Sequence, residues 1–391
     1  MKTIVKRRPL GATGLTVSEV SLGAMNLRML KDREEGVRLV NFALDQGINL
    51  IDTARAYKGV TQSGVEVQSE EIVGSVIRSR SDLDEPIVIV TKGHGYNPQD
   101  FEADLMLSHK TLGIEKRENG LFIGQTEIKL VVFMHGIKAD RWEEIQETGA
   151  IQKALELKEQ GWFHFLGFSS HYGDGETIRA ALDTGAYQVV ELPYNVYKRT
   201  LGEDGEPDLL RYAHDKGVGI VNMKAFNGNG MVATSKLIRD ICSITYEDML
   251  RFCLANPYIS TVDAGARFPE EFLADTKVST LPPLSDEQRK ALTTEADQVS
   301  GLFDNICREC MHCLEKFQCP QGIPFPEILG LHSRYTIAKA LSKDAAPYAG
   351  QYAQMGGPKA DACVACGGCN AWCEYHLDIP AMMAQVWKDL A

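Results

Sequence analysis

Between residues 20 and 275 the chain repeats one pattern: a short, largely apolar run, then a longer stretch with apolar positions at helical spacing. The short runs are Val20–Gly23, Asn49–Asp52, Ile87–Thr91, Lys129–Met134, His164–Ser169, Val189–Leu192, Gly219–Met223 and Val262–Ala264. Their length and their polar or glycine boundaries predict strands. The amphipathic stretches are Arg33–Gln46, Ser69–Arg78, Gln99–Leu112, Ala150–Gln160, Asp174–Thr184, Asp208–Lys216 and Thr245–Ala255, several of them stopped by Gly47, Gly161, Gly185 or Gly217. Eight strands separated by helical stretches in this length predict an α/β fold, a (β/α)8 barrel. The same alternation allows a doubly wound open sheet, but the glycine-rich dinucleotide fingerprint that follows the first strand of such sheets is absent.

The pattern changes at Ser279–Ser285. Pro282 and Pro283 cannot continue a helix, and Ser285 followed by Asp286 and Glu287 reads as a new helix N-terminus. A barrel over 1–284 and a smaller, mainly helical domain over 285–391 follow, a division that suits 391 residues. The formal net charge of −12 weighs against nucleic acid as a partner, since binding a phosphate polyanion rests on cationic side chains. The basic start, Met1 to Arg8, runs into Pro9 without an apolar signal core, and no stretch approaches a membrane span. The expectation is a cytoplasmic protein with no membrane partner.

Barrel enzymes place their chemistry at the C-terminal ends of the strands. Three consecutive predicted strands end in polar groups: Asp52, Lys92 and His135, with Tyr57 five residues after Asp52. Singly, each has an ordinary reading as a helix cap, a loop residue or a core histidine. Adjacent strands lie about 4.8 Å apart, so together these groups can converge.

The runs Leu10–Ser18, Ser21–Gly23, Asn49–Tyr57, Ser69–Gly74, Leu166–Ser170 and Leu192–Asn195 make residues 8 to 275 resemble the aldo/keto reductase family. The resemblance maps that family's tetrad onto Asp52, Tyr57, Lys92 and His135 and implies carbonyl–alcohol interconversion with NADP or NAD on a small-molecule substrate. A phenol of pKa about 10 is a reluctant acid at neutral pH. A neighbouring Lys92 ammonium favours the phenolate, Asp52 holds Lys92, and His135 orients the carbonyl while Tyr57 protonates it. The resemblance also implies cofactor contacts from Gly23, Ser169, Ser170, Glu191 and Met223, from Lys224, Ala225 and Phe226 at the pyrophosphate, and from Gly265, Arg267, Glu271 and Asp275 at the adenosine end. Ser170, Glu191 and Met223 depart from the family's common Asn, Gln and aromatic residue. Arg267 suits a 2′-phosphate, which favours NADP. The link from Gly113 to Ile128 is longer than the family's and reads as a loop or hairpin at the barrel rim.

Eight of ten cysteines crowd into two runs: Cys307, Cys310, Cys313 and Cys319, then Cys363, Cys366, Cys369 and Cys373. The second run repeats the bacterial ferredoxin spacing without its proline, which reads as a ferredoxin-like domain holding two [4Fe–4S] clusters. In two-cluster proteins the fourth ligand comes from the other run, pairing Cys307, Cys310 and Cys313 with Cys373, and Cys363, Cys366 and Cys369 with Cys319. Zinc is the alternative, though its sites favour separated CxxC pairs. Cys242 and Cys253 read as buried apolar residues. Hydride carries two electrons and a cluster takes one, a mismatch a flavin usually bridges; no flavin site is recognisable in the sequence. Two roles stay open for the clusters, electron transfer and docking of a redox partner protein. A redox-sensing or binding module that turns over slowly is the other function class.

Overall fold

The computed structural model describes residues 5–61, 63–171, 174–228, 237–309, 311, 313–314, 317–373 and 375–391. The chain falls into two compact units, one of residues 1–194, 199–225 and 250–284, the other of residues 195–198, 226–249 and 285–391. The second unit is therefore discontinuous along the chain, which a single division at 284/285 does not express.

The first unit is a closed barrel. Its strands are β1 (Val20–Gly23), β2 (Leu50–Asp52), β3 (Ile87–Gly93), β4 (Thr126–Met134), β5 (Phe165–Ser169), β6 (Val189–Pro193), β7 (Gly219–Met223) and β8 (Thr261–Ala264). Each pairs in parallel with its sequence neighbours, β8 returns to β1, and β4 to β5 completes the ring. Closure leaves no edge among these eight. Inward side chains fill the interior: Leu50, Val88, Val90, Val131, Phe133, Val189 and Val221 share one apolar cluster with Leu10 and Val17. The last two come from an antiparallel N-terminal hairpin, Arg7–Pro9 with Thr16–Ser18. Two glycines are required by this packing. A Cβ on Gly167 would stand 2.3 Å from the Phe133 ring, and one on Gly219 would stand 2.8 Å from Leu10, so both positions yield their volume to a large neighbour.

The helices between strands start where short polar side chains cap them. Asp32, Asn97, Asp174 and Asp208 each accept the amide three residues on, satisfying a donor that has no intrahelical partner. Two helices add to those the periodicity marks, Ala139–Thr148 and Pro269–Lys277. The long link before β4 is a hairpin, Glu115–Arg117 with Gly120–Ile123, and it pairs with Thr126–Ile128 at the start of β4. It therefore extends the end of the barrel opposite the strand C-termini, with Leu121 and Ile123 buried beneath it. Its outer strand is exposed and fully charged, which guards that edge against pairing with another chain.

The second unit is helical, with Asp286–Ser300, Phe325–Ala340, Ala346–Gln354 and Ile379–Leu390 as its main helices. Ser285 opens the first through a reciprocal capping box with Gln288. Its core joins Phe325, Ile328, Leu329, Met383 and Val386 to Cys313 and Cys369. The segment 237–249 packs within this unit: Lys343 donates to the Leu237 carbonyl and pairs with Asp240, and Ser243 donates to Glu295 at 2.8 Å. Among the described residues no helix is long and apolar enough to cross a membrane.

Candidate active site

β2, β3 and β4 are neighbours in the ring, so Asp52, Lys92 and His135 arrive at one end of it together. The Lys92 ammonium meets the Asp52 carboxylate and lies 3.2 Å from Glu191 Oε2, with all three residues almost wholly buried. A third carboxylate comes from Asp263 on β8. One oxygen from each of Asp52, Glu191 and Asp263 falls within 4.8 Å of the others. Gly23 makes room for it, because a Cβ there would stand 2.7 Å from Asp263 Oδ2. One ammonium thus faces three carboxylates, two of them almost wholly buried.

Three full negative charges cannot be held there against one positive. Burial acts to lower Lys92, but the charges of Asp52, Glu191 and Asp263 outweigh it and leave Lys92 raised. Burial, then the charge of Glu191, pushes Asp263 up to about 8 against the pull of Lys92 and Ser21. Burial and the charges of Glu191 and Asp263 also push Asp52 upward. Asp263 therefore keeps a proton in the folded chain where an unfolded aspartate, with pKa about 3.9, has lost its own. Its stabilising contribution is complete below about pH 4 and is lost as pH rises through about 8. For Asp263→Asn, neutral at every pH, the expected melting temperature falls less steeply than wild type between pH 5 and 9. Parallel pH profiles would place the proton on another group.

Tyr57 follows β2 in a tight loop whose amide bonds the Ala54 carbonyl at 3.1 Å, and it is 5% exposed. Lys92 Nζ lies 5.6 Å from the centre of its ring and the Arg28 guanidinium carbon 6.0 Å. His135 presents its ring edgewise at 6.1 Å, and Tyr96 donates its hydroxyl to the His135 carbonyl. The four residues singled out in sequence thus share one buried end of the barrel. Sequence reading missed Asp263, Arg28, Tyr96 and two further imidazoles, His94 and His171. Asp263 carried a usable signal, a carboxylate inside an apolar strand where aspartate is depleted.

The residues linked to a cofactor divide into groups. Ser169 Oγ accepts the Gly136 amide at 2.9 Å and Ser170 Oγ donates to the Ile137 carbonyl at 3.1 Å, so both brace the turn after His135. Glu191 is engaged by Lys92. Met223 ends β7, and Lys224 follows in the left-handed region with φ of 60°, a conformation that costs a non-glycine residue energy. Ala225 is buried, and Phe226 packs edgewise on Tyr246. Exposed Gly265 lies beside Asn26, with 3.2 Å between its notional Cβ and Asn26 Nδ2. Arg267, also exposed, pairs with Glu271 at 3.1 Å, and burial followed by the Glu271 charge pushes Asp275 up to about 7.

The cysteines gather in two cradles within the second unit. Cys319, Cys363, Cys366 and Cys369 line one, walled by Phe317, Phe325 and Met383. Cys307, Cys313 and Cys373 line the other with Trp372 and Tyr375; Cys310 lies outside the described residues. The loops curl through left-handed residues, Glu309 and Met311 in the first run and Ala365 and Gly367 in the second. Glu309 is held in that conformation by Arg334, and its carboxylate fills the space a Cβ on Gly330 would need.

A sequence model of the aldo/keto reductase family matches residues 19–249. The chain is 28% identical over 300 residues to the uncharacterized oxidoreductase YrpG of Bacillus subtilis, covering 68% of this chain and 88% of that one. It is 30% identical over 210 residues to the aldo-keto reductase YhdN of the same organism, covering 52% of this chain and 56% of that one. Among solved structures, the holo form of aldo-keto reductase AKR11C1 from Bacillus halodurans superposes with a TM-score of 0.57 at 22% identity, over 74% of this chain and 96% of that one.

Proposed function

The chain belongs to the aldo/keto reductase family and is an NAD(P)H-dependent oxidoreductase of that type, and from this premise we propose that it interconverts a small carbonyl compound and its alcohol, with Tyr57 giving and taking the proton. The observation that carries the proposal is the buried Lys92 ammonium 5.6 Å from the Tyr57 ring centre. At that range in a dry site a fixed positive charge favours the phenolate, which brings a reluctant acid nearer to neutral pH. Asp52 holds the ammonium in place, and His135 directs the substrate oxygen toward the phenol. Glu191 serves Lys92 as a second counterion. A bound nicotinamide supplies the hydride; the protein's own work is to orient the carbonyl, exclude water and move one proton.

For the cofactor we propose Ser169 and Ser170 at the carboxamide, Gly23 and Met223 beside the ring, Lys224, Ala225 and Phe226 at the pyrophosphate, and Gly265, Glu271 and Asp275 at the adenosine. Exposed Arg267 provides a planar donor for a 2′-phosphate, which favours NADP. Loss of nicotinamide absorbance with a panel of aldehydes and ketones, run with NADPH and NADH, tests the reading. Binding of NADPH without turnover of any carbonyl would replace it with a slow sensing module.

For the second unit we propose two [4Fe–4S] clusters, one on Cys307, Cys310, Cys313 and Cys373, the other on Cys319, Cys363, Cys366 and Cys369. Cysteines lining two separate cradles, with left-handed residues turning the loops around them, support this pairing. Such clusters exchange single electrons when bound, a capacity suited to a redox partner protein. Anaerobically purified chain is expected to contain about eight irons with equal sulfide. Cys373→Ala should lose the signal of the first cluster and keep the second, although its ligand run surrounds the other cradle. Stoichiometric zinc without sulfide would overturn the assignment.

A further inference from the structure

Two histidines lie beside the proposed site residues in the chain without a part in the proton chemistry. His94 stands two residues past Lys92 on the chain, and His171 follows Ser170. Both meet His135. The His94 and His135 rings lie 4.6 Å apart with 31° between their planes, and the His135 and His171 rings lie 5.7 Å apart. Arg141 adds a guanidinium to this group: its Nη1 donates to the Gly136 carbonyl, and a Cβ on Gly136 would stand 2.9 Å from that nitrogen and 3.5 Å from the His171 ring. The same guanidinium lies 5.5 Å from the ring centre of Tyr96. Three imidazoles and one permanent cation therefore gather around His135 and the turn that follows it, and His135 itself lies against the Tyr57 ring.

Elsewhere in the barrel unit, buried histidines do ordinary structural work. His109 bonds the Trp162 carbonyl at 2.7 Å, and His164 accepts the Leu130 amide at 3.0 Å. Each of those sits alone with a backbone partner. A metal ion does not account for the cluster, because among the described residues the only ligand atoms close enough to share one are the Asp52, Glu191 and Asp263 carboxylates. Those carboxylates are committed to Lys92. The residues proposed for the pyrophosphate and adenosine follow β7 and β8, whereas His94, His135, Arg141 and His171 follow β3, β4 and β5, so of the proposed cofactor contacts only those of Ser169 and Ser170 with the carboxamide fall beside this group.

We propose that the substrate of this enzyme carries an anionic group, a carboxylate or a phosphate, close to its reactive carbonyl, and that His94, His171 and Arg141 receive it. This rests on the carbonyl-reductase reading above. An oxyanion placed beside His135 puts its carbonyl within reach of Tyr57, and charge-assisted hydrogen bonds from imidazole and guanidinium are short and directional. Arg141 supplies the permanent charge and the histidines the shape, which confines the anion to one side of the carbonyl and so fixes which face is presented. The carbonyl takes up a hydride and a proton as in the general reaction, and the anion is neither formed nor consumed.

The test compares kcat/KM for matched carbonyl compounds with NADPH: a short oxo acid, its methyl ester, and a phosphorylated aldehyde beside its unphosphorylated parent. The expected result is a preference of about tenfold or more for one anionic member, the size of a charged hydrogen bond. Which anion is preferred identifies the source. Arg141→Leu and His171→Leu should each bring that ratio toward one, and Arg141→Lys should restore part of it. Equal rates within both pairs, or a preference that survives both leucine variants, would overturn the proposal while leaving the reductase reading intact. Failure to reduce any of the four compounds with NADPH bound would remove the reductase reading first and this inference with it.

Discussion

Tyr57→Phe is expected to lower kcat for carbonyl reduction by about 10²–10⁴, the usual contribution of a positioned general acid. The substitution removes one oxygen and keeps the ring, so its contacts with His135 and Lys92 are retained. Cofactor affinity should hardly change, since the hydroxyl is the only group lost. The loss should appear in kcat and kcat/KM alike, as for an interaction made in the transition state. A variant that reduces a good substrate at near wild-type rate would assign the proton to another donor.

Lys92→Met should be costly in two ways. Among the described residues it deletes the ammonium that faces Asp52, Glu191 and Asp263, and breaking a buried ion pair from one side costs about 3–5 kcal/mol. The stability cost should grow with pH, because the orphaned carboxylates can be neutralised only by protons. At the same time the phenol loses the charge that favours its ionised form, so alcohol oxidation, which needs the phenolate as base, should fall at neutral pH and recover in part as pH rises. Chemical denaturation at pH 5 and pH 8 with the same variant separates these effects. Equal destabilisation at both values would mean that the three carboxylates do not act as one charged group.

The barrel was readable because its strands announce themselves twice, by apolar runs such as Ile87–Val90 and by the glycines that close the preceding helices. The positions of Asp52, Lys92 and His135 were readable from one physical rule, that groups ending adjacent parallel strands meet. The contact of Glu191 with Lys92 was not. By resemblance it falls at a carboxamide, yet it faces Lys92, and only the ring closure that brings β6 and β8 round to β3 reveals this. His94 and His171 obey the same strand-end rule as His135, but a lone histidine after a strand has many ordinary explanations, and its neighbours in space belong to other repeats. The link before β4 was readable as a loop or hairpin at the barrel rim but its strands were not, because Glu115, Lys116 and Arg117 form an exposed edge strand with no apolar signature. Its extra length was visible, whereas its place at the far end of the barrel depended on pairing with Thr126–Ile128.

The discontinuity of the second unit has a consequence during synthesis. Asp240 leaves the ribosome with the barrel strands, but Lys343, to which it pairs, is 103 residues further on. At about 5–20 residues per second that partner arrives roughly 5–20 s later. The capping box at Ser285 and the glutamate that receives Ser243 also emerge after β8 has closed the ring. Residues 237–249 therefore complete these contacts only after the chain has been made well past β8, as far as Lys343.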